Sequence, residues 1–242
     1  MNYRYFDKLK FDKEDADQLF YVTKGVSFFK NQAFNNFLIK TDNTKGFWWD
    51  MQTAKARFGN AEFDMEFICI VDNDVWYTPM AEPDIPDKQK QIGLNVAKYF
   101  GWANKFNVKP SGFYNENGFP EDPIKAMKLM TAPMLDDLLL ICSAFSGESG
   151  IVFKSQEPNY DIYFFIKLPA DIYPDWTVGE LIDFFAADNF NGTKEEFGLV
   201  VKSLLFFLEW NVVETDNEIV ATKGSQGLVY KYNAEAQKWQ NG

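Results

Sequence analysis

The chain contains no histidine. Without an imidazole that titrates near neutrality, Ser-His-Asp and Cys-His catalysis are excluded, and so are His-ligated zinc and the His-Glu-x-x-His metalloprotease helix. Nucleases and phosphoesterases that use a histidine base fall with them. Arginine is nearly missing as well, with only Arg4 and Arg57 among the lysines. The forked guanidinium that grips phosphate, guanine or carboxylate through paired hydrogen bonds is therefore scarce. The only cysteines, Cys69 and Cys142, both sit in apolar runs. They cannot furnish a four-ligand zinc site and are expected to pack as reduced core residues. No apolar run approaches the roughly 20 residues of a membrane helix. The longest, 134–145 and 199–210, are shorter and interrupted by charge. The opening Met-Asn-Tyr-Arg-Tyr-Phe-Asp-Lys has no basic stretch leading into an apolar one, so no secretory signal and a cytoplasmic setting are expected.

What is abundant is negative charge and aromatic surface. The 242 residues include 35 acids against 24 bases, for a net charge of −11 and a pI near 4.6. Such a surface repels phosphate backbones, so neither nucleic acid nor an anionic membrane is an expected ligand. Hydrophobic residues make up 46% of the chain and Phe alone accounts for 25 residues, enough to build a sizeable core rather than a disordered segment. The bias towards Lys, Asn, Phe, Tyr and Ile suggests an AT-rich coding genome, as in many bacteria and their phages.

The pattern predicts an α+β fold, with antiparallel hairpins packed against several buried helices. It fits a single compact domain, whose lobe boundary, if it has two lobes, falls in the Pro-, Gly- and Asn-rich loop 107–120. Asp12-Lys-Glu-Asp-Ala-Asp-Gln-Leu opens like a helix with acids in its first turn, and Gly25 is a natural stop. Residues 26–40 are apolar and fit either strand or helix, while 44–58 read as a short helix. Residues 63–71 and 75–78, joined by Asp72-Asn73-Asp74, read as a hairpin. A helix is expected over 87–105, another at Asp122-Pro123, and a third after Thr131-Ala132-Pro133. A second hairpin pairs 150–154 with 161–168. Thr177-Val-Gly-Glu180 and Thr193-Lys-Glu-Glu196 fit the capping box. The helix after the second runs to about 210 and is apolar on most sides, hence deeply buried. Residues 212–215, 218–222 and 227–232 read as two or three short strands.

No catalytic, cofactor or metal constellation emerges. Asp72 and Asp74 do not complete a calcium loop and are explained by turn chemistry. Asp136-Asp137 and Glu195-Glu196 answer helix dipoles. Ser146-Gly-Glu-Ser-Gly150 lacks both the nucleophile-elbow spacing and a following Gly-Lys-Ser/Thr. Ser27-Phe-Phe-Lys30 matches Ser-x-x-Lys only as chance allows. The helix-helix-strand-turn-strand order of 177–224 is that of a winged helix, yet its second helix begins Lys-Glu-Glu and continues into Leu and Phe, unlike a groove-reading helix.

The candidates for an interface are Trp48, Trp49 and Trp76, with the acids Asp12, Glu14, Asp15, Asp72, Asp74, Asp84 and Asp87. Tandem tryptophans on a strand point to opposite faces, so Trp48 and Trp49 cannot both enter the core. The acids are first of all solvated faces and helix starts, and in function a landing patch for positive charge. The expectation is a non-enzymatic acidic protein docking on a basic partner such as a nuclease or other nucleic-acid-binding effector. An inhibitor of the phage anti-defence or immunity type fits best. The alternatives are a self-associating structural protein of the virion type and a carboxylate-metal enzyme.

Overall fold

The computed structural model describes residues 1, 4–12, 15–72, 75–77, 86–92, 149–158, 161–186, 192–236 and 238–242. The linker 107–120, the helices expected beyond residue 92 and between 122 and 145, and most of the Ser146–Gly150 loop lie outside them. The architecture is α+β. Among the described residues, helices α1 (Ala16–Lys40), α2 (Val178–Ala186) and α3 (Lys194–Phe207) accompany two antiparallel sheets.

One sheet contains β1 (Phe47–Asp50), β2 (Lys55–Phe58), β3 (Ala61–Asp72), β4 (Val75–Tyr77), β5 (Gly150–Gln156) and β6 (Asp161–Lys167), in the order β1-β2-β3-β6-β5 with β4 also on β3. The other is a meander of β7 (Asn211–Thr215), β8 (Glu218–Lys223), β9 (Gln226–Asn233) and β10 (Lys238–Asn241). The chain resolves into two compact units, residues 1–33 with 173–242 and residues 34–172.

In the first unit, Leu19, Val22, Val26, Phe29 and Ala33 recur along α1 at helical spacing and are all buried. Asp15 caps the helix, its Oδ1 accepting the Asp17 and Gln18 amides at 3.0 and 3.1 Å. Gly25, expected as a stop, lies inside the 25-residue helix instead. A β-carbon there would stand 3.0 Å from Val200 Cγ1 and 3.2 Å from the Val200 carbonyl oxygen. The glycine therefore serves close approach to α3, not chain reversal. Both capping boxes are present. The Thr193 amide donates to Glu196 at 2.6 Å and the Thr177 amide to Glu180 at 2.7 Å. Helix α3 buries Leu199, Val200, Val201, Leu204, Leu205 and Phe207 as part of the core. It ends at Phe207, short of the expected 210, where Glu209 turns left-handed at φ 65°. The tail forms four strands rather than two or three.

In the second unit both expected hairpins form, β3–β4 and β5–β6. The segment 44–58 is the main correction: it holds strands β1 and β2, not a helix. Left-handed Gly46, Ala54 and Gly59 bound the two strands and turn the chain at each end. Strand β6, central between β3 and β5, is buried along Ile162–Ile166 on both faces. On the neighbouring β3, Glu66 is buried, and its carboxylate accepts from the Ile92 amide at 2.6 Å and meets the Lys167 ammonium at 2.7 Å.

Gly150 opens β5 opposite Lys167. A β-carbon there would overlap the Phe165 ring and come within 2.5 Å of the Ile166 carbonyl oxygen. Gly150→Ala should therefore cost about 2 kcal/mol or more through overpacking, read as a lower urea midpoint. Gly179, exposed in the first turn of α2, is crowded by nothing closer than Thr177 Oγ1 at 3.9 Å. Gly179→Ala should stabilise by up to about 1 kcal/mol through helix propensity.

Candidate interaction surface

The three-stranded meander β1–β2–β3 carries the clearest surface feature. Its two-residue Gly59-Asn60 connection is held by buried Asn43, whose Oδ1 accepts the Asn60 amide at 2.9 Å. Register then sorts the side chains. Trp49, Ala56 and Phe63 form one inward row, and Phe47, Phe58 and Ala61 the next. Phe58 and Phe63 pack edge-on against Phe34 at 5.1 and 5.9 Å, and Phe47 and Phe58 meet Phe153 of β5 at 4.5 and 4.9 Å.

The outward rows are Trp48–Arg57–Glu62 and Asp50–Lys55–Asp64. Trp48 keeps 52% of its surface in solvent, with the Arg57 guanidinium 5.7 Å from its ring. Arg57 in turn binds Glu62 at 2.9 Å, and Lys55 binds Asp64 at 2.6 Å and Glu62 at 3.7 Å. The Arg57 hydrogen bond holds the Glu62 carboxyl below its ordinary range, and the Asp64 hydrogen bond raises the Lys55 ammonium. Asp50, lowered by bonds from the Thr53 hydroxyl and the Gln52 amide, orders the β1–β2 turn. The face is an exposed indole on a rigid sheet, framed by paired charges.

The sequence candidates separate accordingly. Trp48 and Trp49 lie on opposite faces of β1, Trp48 outward and Trp49 packed 5.1 Å from Phe164. Trp76 pairs with Val71 in the β3–β4 ladder, Asp72 closes that ladder opposite Val75, and Asp87 opens a short 3-10 turn. Asp12 is exposed, and Asp15 is occupied as the α1 cap. Asp74, Glu14 and Asp84 lie outside the described residues. Lys55, Arg57, Glu62 and Asp64 were not singled out from the sequence. Alternating charge on either side of a Gly-Asn connection was the available signal. Among the described residues, no group of three acids or cysteines could hold a metal ion, and no helix is long and apolar enough to cross a membrane.

The Ser-x-x-Lys pair is interior: Ser27 and Lys30 of α1 are both buried, which denies a substrate access. The Lys30 ammonium lies 5.4 Å from the Phe207 ring, and burial pulls its pKa down to about 7. An unfolded lysine keeps its proton to about pH 10.4. The cost of charging Lys30 in the folded state is thus full at and below pH 7 and fades as pH rises through that window.

Lys30→Met should therefore raise stability most at neutral and lower pH, the gain shrinking towards nothing near pH 10.4. Denaturation across a pH series reads this slope directly. For the surface itself, Trp48→Ala should shift stability by no more than about 0.5 kcal/mol. Trp49→Ala should cost about 2 kcal/mol or more through lost packing. No protein-family model, no curated protein and no solved structure matches the chain.

Proposed function

We propose that the chain is a non-enzymatic binding protein that docks on a basic protein partner in the cytoplasm, with the outward face of β1–β2–β3 as its anchor. The observation that carries this reading is Trp48, half exposed on a rigid strand with Arg57 beside its ring. Trp and Arg are the residues that most often carry binding energy at protein interfaces, and they do so from preorganised positions.

Charge supplies the partner class. A net charge of −11 draws a positive surface from a distance and speeds the encounter. The proteins that present such surfaces include nucleic-acid-processing effectors, whose channels attract phosphate. Covering one of those channels would make this chain an inhibitor, of the kind that phage anti-defence and immunity proteins represent. The paired charges around Trp48 suit this role. Lys55 and Arg57 against Asp50, Glu62 and Asp64 leave the indole in a polar rim, while the acidic excess elsewhere does the steering.

The test is affinity capture from the native host lysate at low and moderate salt, with wild type and Trp48→Ala side by side. A basic nucleic-acid-processing protein should be retained by wild type, released as salt rises, and bound at least about 30-fold more weakly by Trp48→Ala. Equal retention by the variant would remove the hairpin face from the proposal. Selective binding of DNA or RNA by the purified chain, or turnover of a small molecule, would remove the function itself.

A further inference from the structure

The four-stranded sheet ends on β7, a short edge strand without lysine, proline or a bulge. Natural edges are guarded by lysine, proline, bulges or inward charge. Strand β7, Asn211-Val-Val-Glu-Thr215, has no lysine and no proline, and pairs with β8 in unbroken register over all five residues. Its one acid is neutralised, because the Glu214 carboxylate holds Lys202 of α3 at 2.7 Å. Val213 at its centre is 65% exposed. The opposite edge, β10, begins with a lysine, Lys238.

Hairpin closure fixes which groups the edge offers. The two-residue Asp216-Asn217 connection makes Thr215↔Glu218 a hydrogen-bonded pair, and alternation makes Val213↔Val220 another. Val212 and Glu214 therefore turn their N–H and C=O groups outward, away from β8. On the sheet's outer face, Val213, Val220 and Val229 stand side by side across three strands.

We propose that β7 pairs with β7 of a second copy of this chain, antiparallel about a two-fold axis through Val213. That register places Val212 opposite Glu214 of the other copy in both directions, so each outward N–H meets an outward C=O. Val213 faces itself in a non-hydrogen-bonded pair, where side chains come closest. Asn211 faces Thr215, amide to hydroxyl, and no like charges oppose each other. The valine row then continues unbroken from one copy into the next.

The choice of a second copy as occupant rests on the register of β7, which is complementary to itself about Val213. Two chains of net −11 repel over most of their surfaces. The edge of β7 is neutral and complementary to itself, as an isologous contact must be. It is short, so the dimer is weak and depends on concentration. This inference does not rest on the reading of the β1–β2–β3 face, and either can fail without the other.

The test is sedimentation and light scattering of the full chain over a concentration series. The expected result is a 28.0 kDa species at dilution converting to twice that mass. Val213→Lys sets like charges against each other on the axis and should weaken association about 100-fold or more, with circular dichroism and melting unchanged. Val229→Lys, on the same row but two strands in, should still associate. Val213→Cys should form an interchain disulfide on oxidation, since facing residues in this register lie within bridging distance. Thr215→Cys should not, because its copies are displaced along the strands. A chain that is monomeric at every concentration overturns the proposal. So does a Val213→Lys variant that associates like wild type, or a failure of Val213→Cys to crosslink.

Discussion

Ring packing around Phe207 is the contact on which the first unit closes. Tyr5 meets this ring edge-on at 6.0 Å, Phe29 at 5.9 Å and Tyr173 at 6.2 Å, while the ammonium of Lys30 lies 5.4 Å from its centre. These partners come from the start of the chain, from α1 and from the segment before α2, so one side chain ties together parts distant in sequence. Such edge-on pairs add about 0.5–1.5 kcal/mol each beyond the area they bury. The approach depends on Gly25, because Val200 occupies the space a β-carbon would need. A rigid interior of this kind holds the Lys30 amine out of water, and that burial pulls its pKa down to about 7.

The second unit uses the same material for another end. Its inward rings, Phe34, Phe47, Phe58, Phe63 and Phe153, lock the four-residue strands β1 and β2 beside the twelve-residue β3. With one face of each strand committed, alternation forces Trp48, Arg57 and Glu62 outward in a row. The exposed indole is thus a consequence of the core: Trp48 is in solvent because Trp49 is not.

The sequence made much of this legible where the physics is local. The β3–β4 and β5–β6 hairpins followed from alternation and turn residues, and both capping boxes from four-residue spacings. It failed where one residue type serves two purposes. Gly25 reads identically as a helix stop and as a close-contact point, and only the presence of Val200, 175 positions away, decides between them. Residues 44–58 misled because four-residue strands are too short to show a period, although left-handed Gly46 and Gly59 bracket the pair. Trp239 seals the last strand with an indole N–H donating to the Lys194 carbonyl at 2.9 Å, a contact across 45 residues that no local pattern carries. Of the candidate site, it was legible that Trp48 and Trp49 could not both enter the core, whereas which of them faces outward, and the Arg57–Glu62 and Lys55–Asp64 pairs, needed the strand register.

Charge distribution links the two surfaces. Where acids are fixed by partners, as Glu62 is by Arg57 and Glu214 by Lys202, the local surface is close to neutral. In the proposed reading, steering and contact thereby fall to different places. The unpaired excess of acid acts over a Debye length and selects the sign of whatever approaches. The neutralised patches then permit close contact without burying an uncompensated carboxylate, which would cost more than the contact returns. A protein with its acids spread evenly would attract a basic partner but have nowhere to seat it. Here the exposed tryptophan sits beside the Arg57–Glu62 pair, and the exposed valine lies on a strand whose one acid is held on the opposite face.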